Sequence, residues 1–488
     1  MATDFETVIG LECHVELSTR TKMFCGCANV FGAAPNTNIC PVCLGHPGSL
    51  PVPNQKAIEY IVRIGLALNC RIAPHSLFHR KNYFYPDMPK NFQISQYDLP
   101  ICVGGHLDIQ VDGDIRRIGI TRVHMEEDTG KTTHAGTTGR IGQADYALVD
   151  YNRAGVPLVE VVSEPDMRSA EEARAYLTEL RVTLESLGVS DVRMEEGSLR
   201  CDANVSTRVR GSEELGTKVE IKNLNSIRSL ERAVRFEEDR QRSVLEAGER
   251  LVQETRHWDE DRGSTHTLRS KEEAFDYRYF PEPDLPPLEP ELEWIERIRS
   301  ELPELPAARR ARYEGAMLQL TREQSGVLVA DRTLSHLFEQ TMAELDRVPA
   351  RTVANWIVQN LAAVLNEREL APSDLQLQPH QLADVIRIVE DGTVSVTAGK
   401  QVLDEVVTTG KPAEQVVDER GLRQVSDTAA LEAWVDQAIA ENPGPVEQFR
   451  GGKDGALNAV VGQVMKKSGG SANPKLVQDL LRQRLSGP

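Results

Sequence analysis

Short segments with alternating apolar and polar residues dominate the chain as far as about residue 280. In residues 9–17, the apolar Leu11 and Cys13 alternate with the polar Glu12 and His14, which is the period of a half-buried β-strand. Two further strand-like runs cover residues 115–125 and 147–162. The first part of the chain is therefore predicted to be rich in strands.

Two helices interrupt these strands. Ser169 starts the first with the sequence Ser-Ala-Glu-Glu, which is typical of a capping box, and Gly188 is placed to end it. The second helix is expected to begin after Ser226 and to continue into the charged residues 237–249. This mixture of strands and helices predicts an α+β fold for the region.

The pattern changes after residue 280. Residues 280–290 contain too many prolines for regular structure and predict a stiff linker. Amphipathic helices then predominate, and the clearest cover residues 335–345, 352–365, 379–390 and 474–485. A further break at residues 399–411 suggests a third, small helical unit. The predicted domains are residues 1–291, 292–405 and 406–488.

The length and net charge of the chain restrict its number of domains and its possible partners. A chain of 488 residues exceeds what one hydrophobic core usually supports, and its net charge of −18 argues against indiscriminate binding to nucleic acid. RNA contact would have to be local, and residues 447–488 carry seven basic against three acidic side chains. The N-terminus has no basic region followed by an apolar stretch, so a cytoplasmic location is expected.

Four of the eight cysteines form a cluster with metal-ligand spacing. Cys25 and Cys27 form one close pair, and Cys40 and Cys43 form a second after a loop. Two such pairs can place four thiolates around a tetrahedral Zn²⁺, with His46 as an alternative ligand. Two disulfides are the competing interpretation, which a cytoplasmic setting disfavours. Four thiolates leave no open position on zinc, so the predicted role is structural.

Acidic residues on separate strands suggest a second site. Glu160 lies in the apolar run 157–162, where an ionised carboxylate needs a cation or a proton. A strand with one solvent-facing side explains Glu160 alone equally well. However, Glu12 and His14 share a side of the first strand, and Glu126 lies on another. Acids from three strands can form the oxygen-rich site that holds Mg²⁺ on ATP phosphates.

A series of motifs along nearly the whole chain resembles the family of aspartyl/glutamyl-tRNA amidotransferase B subunits. The motifs are VIGLECHVEL (8–17), KNYFYPD (81–87), QISQ (93–96), HMEED (124–128), NRAGVPLVE (152–160), SEPD (163–166), MEEGSLRCDAN (194–204), KNLNS (222–226), DYRYFPEPD (276–284), VGQVMK (461–466) and ANPK (472–475). Residues 137–143 look longer than the corresponding loop of the family.

The resemblance implies an architecture and a reaction. The expected order is a cradle domain with a mostly antiparallel sheet, an all-α helical domain and a small helical YqeY-like tail. The family works as a heterotrimer with an A and a C polypeptide, and the A subunit hydrolyses glutamine to make ammonia. The B subunit is expected to use ATP to phosphorylate the side-chain carboxylate of Glu-tRNA(Gln) or Asp-tRNA(Asn). Ammonia then displaces the phosphate, because a free carboxylate offers no acceptable leaving group.

The resemblance also implies roles for particular residues. His14, Glu126 and Glu160 would hold Mg²⁺, with Glu12 as a possible further member and with Asp150 and Glu127 in support. Zinc would support the site without taking part in the chemistry. Nucleotide and acyl-substrate contacts are expected from Lys81, Asn82, Tyr85, Asp87, Ser95, Gln96, Arg153, Asp202, Asn204 and Lys222. Contacts to the tRNA backbone are expected from Lys453, Lys466, Lys467 and Lys475.

Two other functions remain open on the sequence. The chain could be an RNA-binding scaffold whose partner binds ATP, or it could be a zinc hydrolase. Four-thiolate ligation speaks against the hydrolase. Loss of ATP turnover on changing Glu126 or Glu160, with tRNA binding retained, would exclude the scaffold.

Overall fold

The computed structural model describes residues 4–135, 145–270, 276–424, 428–468 and 472–485. The chain divides into two compact units, Met1–Ala308 and Arg309–Pro488. Strands are concentrated in the first unit and helices make up the second, which confirms the α+β fold and the order of its parts. The predicted domain boundaries at 291/292 and 405/406 both stay predictions.

The strands all precede residue 282 in the described parts of the chain. They are β1 (Phe5–Glu16), β2 (Arg71–Ile72), β3 (His79–Asn82), β4 (Phe92–Ser95), β5 (Cys102–Val103), β6 (His106–Val111), β7 (Asp114–Glu127), β8 (Lys131–Ala135), β9 (Tyr146–Asp150), β10 (Pro157–Ser163), β11 (Leu199–Val209), β12 (Val219–Leu224), β13 (Glu254–Asp259), β14 (Ser264–Ser270) and β15 (Phe280–Pro281).

Helices α1 to α4 belong to the first unit, and the others follow in chain order. They are α1 (Gln55–Ala67), α2 (Ala170–Leu187), α3 (Ile227–Glu246), α4 (Leu292–Ser300), α5 (Pro306–Glu314), α6 (Arg322–Val329), α7 (Arg332–Ala343), α8 (Ala350–Asn355), α9 (Ala362–Glu367), α10 (Pro379–Glu390), α11 (Val396–Thr409), α12 (Ala413–Arg420), α13 (Thr428–Glu441), α14 (Pro443–Arg450), α15 (Leu457–Lys467) and α16 (Pro474–Leu485).

A ten-stranded sheet forms the centre of the first unit. Its strands lie in the order β14, β13, β12, β11, β1, β10, β7, β5 and β2, and β6 also pairs with β7. The pairings are antiparallel except for the parallel pair β12 and β13, so the mostly antiparallel sheet is confirmed. A smaller sheet has the order β15, β3, β4, and β8 pairs with β9.

The two faces of the main sheet differ in chemistry. On β1, Leu11, Cys13 and Val15 are buried in the hydrophobic core. Helices α1, α2 and α3 contribute to the same core, because their apolar stripes need a surface to cover. Glu12 and His14 lie on the opposite face of β1. The small sheet approaches the main sheet where its strand β4 contacts β7. That face carries the polar side chains of the candidate site.

The ends of α2 agree closely with the predicted helix. The Ser169 hydroxyl accepts a hydrogen bond from the Glu172 amide, and Gly188 ends the helix in the left-handed region with φ 65°. In a capping box the Glu172 carboxylate would accept a hydrogen bond from the Ser169 amide. Here it accepts instead from the Arg168 amide, at 2.8 Å. Helix α3 follows Ser226, as predicted.

Three predicted segments differ in the structure. The run 147–162 is two strands, because a turn with Gly155 at φ 86° separates β9 from β10. The supposed break at 399–411 is mostly helix α11, which ends at Thr409 before the left-handed Gly410. The proline-rich segment 280–290 is part of the first unit and is not a separate linker, since Ser76 and Leu288 exchange two backbone hydrogen bonds.

The tail has a hydrophobic core of its own. Residues of α13, α14, α15 and α16 bury apolar side chains together, including Val435, Val446, Leu457 and Leu481. Such a core is what a small helical tail domain requires. Within the described residues, none of the helices combines the length and the apolar composition needed to cross a membrane.

Candidate active site

Three neighbouring strands align the central residues of the site. His14 on β1 lies directly opposite Glu160 on β10, and Glu160 lies opposite His124 on β7. Directly opposite residues of antiparallel strands project to the same face of a sheet. Glu126, two residues beyond His124 on β7, also projects to this face. The register therefore brings together side chains that are far apart in sequence.

The distances between these side chains are short enough for one ion. Nε2 of His14 lies 3.6 Å from Oε2 of Glu160. One potential ligand atom from each of His14, Glu126 and Glu160 lies within 4.8 Å of the other two. Two carboxylates and an imidazole are a donor set that suits a divalent cation, with oxygen ligands favouring Mg²⁺. The residues thus fit the expected metal.

The small sheet supplies cationic and hydrogen-bonding groups to Glu126. Ser95 donates a hydrogen bond of 2.8 Å and Gln93 one of 3.1 Å to its carboxylate, and Nζ of Lys81 lies 4.0 Å away. Burial opposes ionisation of Glu126, but Lys81 and His124 hold the pKa of its carboxyl well below its usual range. Glu126 is therefore ionised at neutral pH.

His124 also belongs to the site, although the family resemblance implied no role for it. Its Nε2 lies 3.1 Å from Glu160 and 3.4 Å from Glu126. Burial raises and His124 lowers the pKa of Glu160, which falls to about 2. Burial lowers the pKa of His124, but the two neighbouring carboxylates outweigh this effect and raise the pKa to about 9. The alternation with Glu126 on one strand was the available signal for His124.

Glu12 lies on the same face but next to a different partner. Its carboxylate accepts a hydrogen bond of 2.9 Å from Asn204 on β11, and Glu12 does not belong to the three-residue group that could share an ion. Farther along, Lys222 on β12 lies 2.5 Å from Asp202 and 3.1 Å from Glu220. Glu12, Asp202, Asn204 and Lys222 thus extend the polar face beyond β1.

Two of the expected substrate-contacting residues are engaged in holding the protein together. Gln96 donates to Ser76 at 2.6 Å and accepts from the backbone amide of Met125 at 3.1 Å. Asn82 donates to the backbone oxygens of residues 277 and 278. These amide groups fix β3, β4 and β7 around the site.

Arg153 and Asp87 border a turn after β7. Arg153 donates to the backbone oxygens of Thr129 and Gly130 and lies 3.6 Å from Asp128. The Asp87 backbone oxygen accepts from the Gly130 amide at 2.8 Å. Both residues therefore shape the loop that follows the HMEED motif.

The remaining expected residues vary in exposure and partners. The Tyr85 side chain is exposed. Glu127 pairs with Lys90 and accepts from the Ile94 amide. Asp150 accepts from the amides of Asn36 and Asn152 in a turn. The expected longer loop at 137–143 lies outside the described residues.

The four clustered cysteines converge as their spacing predicts. The sulfur atoms of Cys25, Cys27, Cys40 and Cys43 all lie within 4.8 Å of one another. All eight cysteines of the chain are unpaired. The hydrogen bond between Cys25 and Cys43 lowers the pKa of the Cys43 thiol to about 5 and raises the pKa of the Cys25 thiol, so without a metal ion the two thiols share a proton. His46 lines a nearby cavity without joining the four sulfur atoms.

The basic tail separates into paired and unpaired side chains. Lys467 lies 2.8 Å from Glu441, Arg482 lies 3.4 Å from Asp454, and Arg484 lies 3.1 Å from Glu432. Within the described ranges, the other four basic residues form no ion pair. These are Arg450, Lys453, Lys466 and Lys475.

Comparisons with known proteins agree with this fold. Residues 7–296 match the GatB/GatE catalytic domain, and residues 336–485 match the GatB domain. A strand-rich catalytic unit followed by this helical domain defines the class as amidotransferase B subunits. The chain belongs to the family of aspartyl/glutamyl-tRNA(Asn/Gln) amidotransferase B subunits.

Relatives from several bacteria match over nearly their full length. The chain is 55% identical to the aspartyl/glutamyl-tRNA(Asn/Gln) amidotransferase B subunit of Moorella thermoacetica, over 99% of this chain and 100% of the relative. It is 52% identical to the protein of the same name from Geotalea uraniireducens, with the same two coverages. The protein of that name from Carboxydothermus hydrogenoformans is 50% identical, over 99% of each chain.

Proposed function

We propose that the chain uses ATP to activate the side-chain carboxylate of Glu-tRNA(Gln), Asp-tRNA(Asn) or both, and that it then supports amidation by ammonia. The observation that carries this proposal is the convergence of His14, Glu126 and Glu160 within 4.8 Å on one polar sheet face. Family membership gives the substrate class, since the relatives are named for aspartyl/glutamyl-tRNA(Asn/Gln).

The reaction has two steps. A carboxylate oxygen of the aminoacyl side chain attacks the γ-phosphorus of ATP, the bond to the bridging oxygen breaks, and ADP leaves. Ammonia then attacks the carbonyl carbon of the acyl phosphate, inorganic phosphate leaves with the electron pair, and a proton is lost. The amide of Gln-tRNA(Gln) or Asn-tRNA(Asn) results.

The side chains of the site divide the work of the first step. His14, Glu126 and Glu160 would hold Mg²⁺, which when bound offsets negative charge on ATP and the substrate. Lys81 lies 4.0 Å from Glu126 and would add a positive charge for the phosphate that reacts. Ser95 and Gln93 orient the Glu126 carboxylate through their hydrogen bonds. Asp202, Asn204 and Lys222 lie on the same face beyond β1 and would contact the substrate there.

The proposal includes two partner polypeptides and a structural metal. The A subunit would hydrolyse glutamine to supply ammonia, and the C subunit would complete a heterotrimer. Zn²⁺ at the four cysteines would fix residues 25–43, because ligands from both ends of this segment meet there. The chain would then be the ATP-using part of a carbon–nitrogen ligase.

A phosphate-release assay tests the proposal. The chain with its partner subunits is given ATP, Mg²⁺ and glutamine with Glu-tRNA(Gln), Asp-tRNA(Asn) or uncharged tRNA. Phosphate release is expected only with an aminoacylated tRNA. Glu126→Gln and Glu160→Gln should each reduce the rate at least about 100-fold, because each removes a charged ligand from the proposed cation site.

The controls separate this function from its alternatives. Glu213→Gln changes an exposed carboxylate and should leave the rate unchanged. Both site variants should still bind tRNA with their normal affinity. Full phosphate release by Glu126→Gln and Glu160→Gln would refute the site and favour a scaffold whose partner binds ATP.

A further inference from the structure

Five tyrosines lie on or next to the strands of the small sheet that carries Lys81. Tyr83 and Tyr85 follow β3, Tyr97 follows β4, and Tyr277 and Tyr279 precede β15. We call these residues the tyrosine cluster. All three strands belong to the small sheet, so its pairing order brings the five rings together.

The rings form a continuous row. Tyr97 and Tyr279 stack with centroids 4.3 Å apart and an angle of 9° between their planes. Tyr277 makes edge contacts with Tyr279 at 6.1 Å and with Tyr83 at 6.2 Å. Tyr83 in turn lies 6.3 Å from Tyr85. These contacts hold each ring in place before any ligand binds.

Hydrogen bonds connect the tyrosine cluster to the carboxylates of the candidate site. The Tyr83 hydroxyl donates to Gln93 at 3.2 Å, and the Gln93 amide donates to Glu126 at 3.1 Å. Nζ of Lys81 lies 5.2 Å from the centre of the Tyr277 ring and 4.0 Å from Glu126. A molecule on these rings would therefore lie next to the proposed cation site.

The tyrosine cluster is open to solvent at both ends. The Tyr85 side chain is 58% exposed and the Tyr97 side chain is 51% exposed. A pocket for a small molecule normally encloses most of its ligand, whereas these rings form an open row. Arg278, between Tyr277 and Tyr279, is also exposed and forms no ion pair within the described residues. An open row of rings beside an exposed cation suits a single-stranded nucleic acid.

We propose that the tyrosine cluster stacks the unpaired 3′-terminal bases of the substrate tRNA and so places its aminoacyl group at Glu126. This inference rests on the proposed function. The terminal base is joined to the reacting carboxyl through only one ribose and one aminoacyl group, so it must bind close to the cation site. Aromatic rings are the usual contacts of unpaired RNA bases, and Arg278 is placed to meet the backbone phosphates.

The test uses the full chain with its partner subunits, together with aminoacyl-tRNA carrying 2-aminopurine as the terminal base. Stacking of this base on a tyrosine ring should quench the fluorescence of 2-aminopurine. Tyr97→Leu and Tyr279→Leu should each relieve the quenching and weaken binding of the tRNA about tenfold, while Tyr97→Phe and Tyr279→Phe should retain both. Tyr85→Leu removes an exposed ring with little effect on folding and should weaken binding in the same direction.

The control is Tyr146→Leu, which removes an exposed tyrosine of β9 and should change nothing. Unchanged quenching and affinity in all three leucine variants would overturn the inference. A rise of about tenfold in the KM for ATP in the leucine variants, with normal quenching, would also overturn the inference, because the rings would then bind the base of ATP. Quenching by a wild-type complex that releases no phosphate would refute the proposed function and leave the stacking site intact.

Discussion

Nε2 of His124 lies 3.1 Å from Oε2 of Glu160, and both side chains are buried on the polar side of the sheet. The imidazole also lies 3.4 Å from Glu126, so it stands between two carboxylates. In the absence of a metal ion, a protonated His124 is the nearest positive charge to both of them. This arrangement keeps the acids ionised and close together.

Replacing His124 with alanine is expected to destabilise the metal-free protein by about 3 kcal/mol, because removing one partner leaves buried charge without compensation. Mg²⁺ should restore part of the loss, since an ion bound between the acids stabilises only the folded state. Urea unfolding in chelator and in Mg²⁺ measures both effects. His75→Ala, at an exposed ion pair with Glu289, should cost less than about 1 kcal/mol and show no Mg²⁺ dependence. Equal losses in the two variants would contradict the role of His124.

Zinc content should depend on the four clustered cysteines. Cys40→Ser or Cys43→Ser is expected to abolish the binding of one zinc ion per chain and to lower the melting temperature, because three thiolates no longer close the site. Elemental analysis and thermal unfolding measure these changes. Cys70→Ser, at a buried cysteine outside the cluster, should keep the zinc. Stoichiometric zinc in Cys43→Ser would show that the metal lies elsewhere.

The stability of the protein is expected to depend on pH through Glu238 on α3, whether or not a metal ion is bound. Burial raises the pKa of Glu238 from 4.5 to about 7. The folded state therefore favours the neutral acid, and stability is lost as the pH rises from 4.5 through 7. Relative to the wild type, the free energy of unfolding of Glu238→Gln should therefore rise by about 2 kcal/mol when the pH is raised from about 5 to about 8.5.

Unfolding free energies at the two pH values measure this gain. Glu246→Gln changes an exposed carboxylate at the end of the same helix and is expected to leave the pH dependence as it is in the wild type. A pH dependence of Glu238→Gln equal to that of the wild type would show that Glu238 titrates normally.

Two lysines of the tail are expected to contact tRNA phosphates. Lys466→Ala and Lys475→Ala should each weaken tRNA binding and reduce the salt dependence of the affinity by about one counterion. Lys467→Ala is the matched control, because Lys467 is already paired with Glu441 and should contribute less. Filter binding across a salt series measures the slopes. Equal slopes for all three variants and the wild type would place the RNA elsewhere.

Alternation on single strands made part of the site predictable. The period of residues 9–17 placed Glu12 and His14 on the polar side of β1, and the structure confirms this. Which strands become neighbours depends on pairings between distant segments, which a local period does not encode. β10 lies between β1 and β7, so Glu160 meets His14 and His124. β11 lies on the other side of β1, and Glu12 therefore meets Asn204.

The helical half shows the same limit. The predicted helix 379–390 matches α10, because its apolar residues recur at helical spacing. The break predicted at residues 399–411 was wrong at Gly399, since this glycine lies inside α11, where an added Cβ would approach Val389 to 2.3 Å; the helix ends only before Gly410. A glycine required for close helix packing and a glycine that ends a helix look alike in one sequence.

β1 is hydrogen-bonded along both of its edges, to β10 and to β11. Inserting or deleting one residue just after Glu12 would exchange the two faces of the rest of β1, so that Glu16 would enter the apolar interior and Val15 would face water. Evolution and protein engineers can lengthen the loops of this protein, but the spacing along its first strand has to stay fixed.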